Sequence, residues 1–246
     1  MQSKKITQTN ILFMDVIVLM IVINVFVSLV KLLNLNNQHH LMQRGIALLS
    51  GGIDSPVAIH LMKERMDIVA AHFHQQPLTD EKEVEKVKEL SKILGITKVY
   101  LIPFITVLKA LTEKCTHKNY FILSKIAMFK AAELIAKKEK AMFLITGENL
   151  AQVSSQTLSN LTTITKNVSL EIVRPLLTYD KHEIITLAKK IGTYEVSSGP
   201  EICSLLGPKH PATTSNTKDI AQELHNINLL TLLQESVLHS ECVILR

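Results

Sequence analysis

Beyond residue 44, the chain alternates short apolar runs with longer segments in which apolar positions recur every three or four residues. The short runs end at glycine, proline or polar residues, which is typical of buried strands. The longer segments begin with polar residues and end near glycines, which is typical of helices. The predicted strands cover residues 46–49, 68–73, 98–102, 142–146 and 171–174, and the predicted helices cover 55–66, 79–95, 120–140 and 179–192.

The order of these elements predicts the fold class. Strands that alternate with helices favour an α/β fold, here a doubly wound parallel sheet of five strands with helices on both faces. In such sheets, ligands bind at the carboxyl ends of the strands. We therefore expect the loops after the first, second, fourth and fifth strands to converge on one site.

The N-terminal segment does not follow this pattern. From Ile11 to Leu35 the sequence is almost wholly apolar, and Val16 to Val30 carries no formal charge. Two interpretations stay open, a short membrane anchor and an apolar helix docked on the domain that follows. We divide the chain into this segment and its linker (1–43), an α/β domain (44–215) and a helical C-terminal extension (216–246).

The loop after the first strand has the composition of an anion site. It reads Ser50-Gly51-Gly52-Ile53-Asp54-Ser55-Pro56. Ser55 is a natural N-cap, with Pro56 at the first helical position. Because a helix N-terminus offers unpaired N–H groups and a positive dipole end, the pattern predicts phosphate binding. No lysine follows the glycines, so this is not the Gly-x-x-x-x-Gly-Lys-Ser/Thr loop.

Composition narrows the partner and the compartment. Lys and Arg outnumber Asp and Glu by 27 to 22, which gives a net charge of +5 and a pI near 9.0, compatible with nucleic acid. The three cysteines, Cys115, Cys203 and Cys242, have neither metal-type spacing nor the even number of a secreted disulfide framework. A cytoplasmic location is therefore predicted, with residues 11–35 as a candidate tether to the inner face of the membrane.

Several motifs in order resemble one enzyme family. They are Ser50 to Ala58, Thr146 to Thr157, Arg174 to Leu176, Asp180-Lys181, Ile191-Gly192-Thr193 and Cys203. Together they resemble the catalytic domain of the tRNA 4-thiouridine synthetases, tRNA sulfurtransferases whose sulfur chemistry also serves thiazole biosynthesis. The resemblance spans about residues 44–215. It implies that ATP adenylates a tRNA uridine and that persulfide sulfur then displaces AMP.

The resemblance also implies roles for individual residues. Asp54 and Lys181 would be catalytic, and Cys203 would be the redox-active cysteine. Asp54 would hold Mg²⁺, and Lys181 would offset negative charge on the phosphates. The residues expected to bind ATP or pyrophosphate are Ser50, Gly51, Gly52, Ser55, His72, Phe73, Gly147, Gln156 and Arg174.

The chain also departs from the family pattern. The sequence shows neither the THUMP region nor the rhodanese domain of some members. We therefore expect tRNA affinity to come from elsewhere, and sulfur to come from an external persulfide donor, a cysteine desulfurase or a rhodanese-like protein. Phe121 and Ser124 occupy the places of a Cys-x-x-Cys found in other members, so no iron–sulfur cluster is expected. A homodimer and an association with the membrane stay open.

Two other functions stay open as well. One is a different adenylating pyrophosphate-loop enzyme, such as an amidating or nucleobase-modifying one. The run from Thr146 to Thr157 and Cys203 count against it, because such relatives need not carry them. The other is a non-catalytic relative that binds a nucleotide or a partner. The intact stretch from Ser50 to Ser55 and Lys181 count against that interpretation.

Overall fold

A computed structural model describes residues 42–150, 152–199 and 206–245, which build a sheet with helices on both faces. Its strands are β1 (Arg44–Leu48), β2 (Asp67–His74), β3 (Lys98–Pro103), β4 (Phe143–Ile145), β5 (Glu171–Val173) and β6 (Glu241–Ile244). Its helices are α1 (Asp54–Met62), α2 (Lys82–Leu94), α3 (Ile105–Lys114), α4 (Tyr120–Glu139), α5 (Leu158–Lys166), α6 (Lys181–Lys190), α7 (Tyr194–Ser197), α8 (Thr217–Asn226) and α9 (Leu229–Leu238).

The strand order β5-β4-β1-β2-β3-β6 places the direction change of the chain beside β1. The chain first winds from β1 through β2 to β3, and then returns to lay β4 and β5 on the other side of β1. Strands β1 to β5 are parallel. In doubly wound sheets, the crevice for a ligand opens between the two strands where the winding direction changes. Here those strands are β1 and β4.

The core explains why this sheet is covered on both faces. Along β1, Ile46 packs into one apolar cluster and Ala47 into a second. Along β3, Tyr100 joins the first cluster while Val99 joins the second. Because successive strand side chains point to opposite faces, the two clusters lie on the two sides of the sheet. The apolar runs of the sequence are therefore strands buried on both faces.

Strand β6 corrects the predicted count of five strands. Residues 241–244 pair antiparallel with β3, from Lys98↔Ile244 to Leu101↔Glu241, so the sheet is mixed and has six strands among the described residues. Four residues are too few for a period-two pattern to stand out, so the sequence predicts no strand within the extension 216–246. The structure gives that extension two helices, α8 and α9, before the strand.

The predicted apolar helix at residues 11–35 lies outside the described residues. Within the described ranges, no helix is both long and apolar enough to cross a bilayer.

Candidate active site

The loop between β1 and α1 is held together by its two serines. The helix begins at Asp54, with Ile53 at the N-cap position, so the prediction that Ser55 is the N-cap is wrong. The Ser55 hydroxyl instead accepts a hydrogen bond of 2.9 Å from the Ser50 N–H and lies 3.0 Å from the Ser50 hydroxyl oxygen. The Gly52 N–H donates to that same Ser50 oxygen over 3.2 Å. The serines therefore shape the loop from within.

This shape leaves backbone donors free for an anion. The N–H groups of Gly51 and Ile53 have no acceptor among the described residues. They stand beside the first turn of α1, whose own N–H groups lack intrahelical partners. A helix N-terminus with adjacent free N–H groups favours an anion, so the geometry suits the predicted phosphate site, and phosphate binding itself stays a prediction.

Gly147, in the loop after β4, packs directly on the first turn of α1. A Cβ atom at this position would lie 2.7 Å from the backbone carbon of Asp54 and 2.7 Å from the backbone nitrogen of Ser55. Real Cβ atoms do not approach backbone that closely, so only glycine fits. The predicted convergence of the β1 and β4 loops is therefore a close contact between the two backbones.

Lys181 and Asp54 meet at this place although 127 residues separate them. The Lys181 Nζ donates a hydrogen bond of 2.6 Å to the Asp54 Oδ1, and both side chains are partly exposed. Lys181 is the first residue of α6, and a capping box of Asp180 and Glu183 fixes the start of that helix. The structure thus brings together the two residues predicted to be catalytic.

The carboxylate of Asp54 suits a Mg²⁺ ion that is bound mainly by phosphates. Mg²⁺ usually takes one or two protein carboxylates, and phosphates and water supply its other ligands. Among the described residues, no three His, Cys, Asp or Glu side chains are grouped to hold a metal. Asp54 adjoins the loop of residues 49–53 between β1 and α1, called the phosphate loop below, and fits the role of a single protein ligand.

Glu148, next to Gly147, organises a buried ion cluster. Its side chain is 1% exposed, and its two oxygens accept 2.9 Å and 2.8 Å hydrogen bonds from Lys125 Nζ and Arg174 Nε. Burial alone would raise the pKa of Glu148, but the two cations outweigh it and hold that pKa below its usual value. Arg174 also donates to the Thr165 hydroxyl. Arg174, predicted to bind nucleotide, is thus engaged mainly in fixing the β4 loop.

We predict that Glu148→Gln lowers the free energy of unfolding at neutral pH by about 3 kcal/mol, because it leaves the charges of Lys125 and Arg174 uncompensated in a partly buried place. The folded-state pKa of Glu148 is lowered, so its stabilising contribution is complete above pH 4.5 and declines as pH falls through the lowered pKa. Urea denaturation of both proteins from neutral to acidic pH measures the difference.

Glu113→Gln is the matched control, because Glu113 is exposed on α3 and pairs with no cation among the described residues. It should change the free energy of unfolding by less than about 0.5 kcal/mol. Equal stability of Glu148→Gln and the wild type at neutral pH would contradict the role given to the cluster.

The structure buries the side chains of His72 and Phe73. His72 is 2% exposed, and its Nδ1 lies 2.9 Å from the carbonyl oxygen of Leu49, which precedes the phosphate loop. Burial lowers the pKa of His72 despite the nearby Glu83 carboxylate, so the ring is neutral at physiological pH. Phe73 packs edge-on against Phe104, with ring centroids 4.9 Å apart. Both side chains pack inside the fold, and the predicted contact of these residues with a nucleotide stays a prediction.

Gln156 keeps a free polar atom. The residue is 8% exposed, and its Oε1 is buried without a hydrogen-bond partner among the described residues. A buried acceptor without a partner costs free energy, so a bound ligand that donates to it is the simplest explanation. The binding of ATP by Gln156 stays a prediction.

The structure describes two of the three cysteines, Cys115 and Cys242. Cys203 lies outside the described residues, and its predicted redox role stays a prediction. Burial, with a smaller effect of Glu223, raises the pKa of Cys115 to about 11, so its thiol is not a thiolate at neutral pH. Cys242 is exposed on β6. The structure thus gives Cys115 no nucleophilic character.

Sequence reasoning missed the role of Lys125. Lys125 lies in the first turns of α4, within the strongly apolar stretch Tyr120 to Phe129. A lysine on the buried part of a helix needs a partner, and that requirement is a signal that the sequence contains. The partner itself, Glu148, is 23 residues away and becomes evident only in the fold.

Comparisons with known proteins agree with this geometry. The model of the family described as "Thiamine biosynthesis protein (ThiI)" matches residues 41–229. A probable tRNA sulfurtransferase of Moorella thermoacetica is 40% identical over 199 residues, 78% of this chain and 51% of that protein. One from Finegoldia magna is 40% identical over 210 residues, 82% of this chain and 54% of that protein. The chain spans about half the length of the curated relatives it matches.

Two solved structures are informative at different levels. The crystal structure of a 4-thiouridine synthetase–RNA complex with bound ATP has a TM-score of 0.79 and 33% identity, and the match covers 83% of this chain and 55% of that one. NMN synthetase from Francisella tularensis has a TM-score of 0.51 and 16% identity, over 79% and 84% of the two chains. The second likeness is evidence for the fold alone.

Proposed function

The chain belongs to the ThiI family, and on that premise we propose that it is an ATP-dependent tRNA sulfurtransferase, which adenylates a tRNA uridine and replaces its O4 by sulfur. The observation that carries this proposal is the 2.6 Å contact between Lys181 and Asp54 at the mouth of the phosphate loop. The solved relative whose crystal structure contains RNA and ATP adds support.

The first half of the reaction needs an anion site and positive charge. The uridine O4 attacks the α-phosphorus of ATP, the bond between the α-phosphorus and the bridging oxygen breaks, and pyrophosphate leaves. The free N–H groups of Gly51 and Ile53 and the start of α1 would hold the pyrophosphate part. Lys181 would stabilise negative charge that develops on the phosphates. Mg²⁺, when bound, would supply further charge neutralisation, with Asp54 as its protein ligand.

The second half needs two sulfur atoms in sequence. The terminal sulfur of an external persulfide attacks C4 of the uridine, and AMP leaves. The Cys203 thiolate then attacks the inner sulfur of that adduct, which releases 4-thiouridine and leaves a disulfide between Cys203 and the donor. A reducing thiol restores both partners. The same sulfur chemistry would account for a link to thiamine biosynthesis, as the family's description states.

The decisive experiment measures pyrophosphate and AMP formed from ATP and Mg²⁺, with and without unmodified tRNA, over the widest soluble range of tRNA concentration. Stimulation by unmodified tRNA, but not by 4-thiouridine-containing tRNA, is expected. Nucleotide binding without AMP formation would favour the non-catalytic alternative. AMP formation that tRNA leaves unchanged would favour another adenylating enzyme.

A further inference from the structure

Lys86, on α2, lies directly against the phosphate loop. A Cβ atom placed on Gly51 would lie 3.2 Å from its Cδ and 3.6 Å from its Nζ. The ammonium group donates a hydrogen bond of 3.1 Å to the carbonyl oxygen of Ser197, the last residue of α7. It also lies 3.5 Å from the place of a Cβ on Gly199. Lys86 therefore sits between the glycines of the loop and the segment after α7.

The charge and donors of Lys86 are largely unused within the described part of the chain. An ammonium group has three N–H donors, and only the Ser197 carbonyl takes one of them there. No described carboxylate forms an ion pair with Lys86. Lys181, by contrast, is paired with Asp54, and Lys125 and Arg174 share Glu148. Lys86 thus brings uncompensated positive charge and two free donors next to the free N–H of Gly51.

We propose that Lys86 binds the pyrophosphate part of ATP and the pyrophosphate that leaves, a proposal that rests on the adenylation described above. The loop itself carries no lysine, in contrast to loops in which a lysine follows the glycines. Lys86 supplies that charge from a neighbouring helix. A side chain on Gly51 would crowd the stem of Lys86, whose Cδ would lie 3.2 Å from its Cβ, so the glycine leaves room for the lysine beside the loop.

A purely structural role for Lys86 makes a different prediction. If the lysine only joined α2 to α7 through Ser197, its loss would lower the melting temperature without changing the affinity for pyrophosphate. If it binds phosphate, its loss weakens pyrophosphate binding in the absence of any turnover. The two roles are therefore separated by a binding measurement on the resting protein.

The experiment measures binding of inorganic pyrophosphate by calorimetry for wild type, Lys86→Met, Lys86→Arg and Lys88→Met. Lys88 is the matched control, since it lies on the same helix but lines a separate surface cleft with Glu81 and Glu85. Lys86→Met should weaken binding about tenfold, because a charge-assisted hydrogen bond is lost. Lys86→Arg should keep most of the affinity, and Lys88→Met should bind like the wild type.

AMP formation in the same four proteins separates this proposal from the function it rests on. If Lys86→Met and the wild type bind pyrophosphate equally well and the wild type forms AMP, the role of Lys86 is overturned and adenylation stands. A tenfold loss in Lys86→Met, with no AMP formed by the wild type, keeps the phosphate ligand and rejects the sulfurtransferase. No pyrophosphate binding by the wild type rejects the role of Lys86 outright.

Discussion

Replacing Asp54 with alanine should lower AMP formation by about 10³-fold, which corresponds to about 4 kcal/mol of transition-state stabilisation. The change removes the carboxylate at the start of α1 and leaves the Lys181 ammonium without its 2.6 Å partner. Lys181 would then lose its fixed position, and Mg²⁺ would lose its protein ligand. Single-turnover AMP formation with saturating ATP and unmodified tRNA measures the loss.

Asp67→Ala provides the control for this prediction. Asp67 pairs with Arg44 over 2.7 Å, but it lies at the amino end of β2, and the loops of the candidate site follow the carboxyl ends of the strands. Its loss should leave AMP formation unchanged. Both variants should keep melting temperatures near that of the wild type, because both carboxylates are partly exposed and exposed ion pairs stabilise little. Wild-type rates in Asp54→Ala would remove Asp54 from the mechanism.

Replacing Cys203 with serine should abolish 4-thiouridine formation while AMP formation continues at the wild-type rate. The physical reason is the order of the proposed steps, in which the Cys203 thiolate acts only after AMP has left. A serine hydroxyl cannot attack the persulfide adduct, so sulfur stays attached to its donor. The measurement compares 4-thiouridine in digested tRNA with AMP released, using a chemically prepared persulfide as the donor.

Cys115→Ser and Cys242→Ser are matched controls for the loss of a thiol. Cys115 has a pKa raised to about 11, and Cys242 lies on β6, so neither substitution should reduce thiolation. Normal 4-thiouridine formation in Cys203→Ser would exclude Cys203 from sulfur transfer. A loss of 4-thiouridine formation in Cys115→Ser would show that our proposal assigns sulfur transfer to the wrong cysteine.

The sequence predicts an element well where adjacent residues determine it. The strand, glycine turn and helix start from Ile46 to Pro56 are encoded in adjacent residues, and the structure places them within one or two residues of the prediction. The start of α6 was equally clear, because Asp180 and Glu183 form a capping box three residues apart. The family resemblance implies catalytic roles for Lys181 and Asp54, but their 2.6 Å contact across 127 residues is seen only in the fold.

The sequence was insufficient where a residue's role depends on distant neighbours. The charged residues from Asp80 to Lys92 have the pattern of a solvated helix face, and that pattern gives no sign that Lys86 reaches the loop after β1. Its position over Gly51 depends on how α2 packs beside α1, and no local pattern encodes that. The predicted N-cap of α1, Ser55, lies two residues beyond the observed one, Ile53, because the Ser55 hydroxyl bonds to Ser50 rather than capping the helix.

Strand β6 has a consequence for the solubility of the molecule. It pairs with the outer side of β3, whose Val99 and Leu101 are buried. Without those four residues, β3 would present unpaired N–H and C=O groups along an apolar border, which is a template for pairing with another chain. At the opposite border, β5 is only three residues long and offers little to pair with. The short terminal strand thus protects the sheet against aggregation.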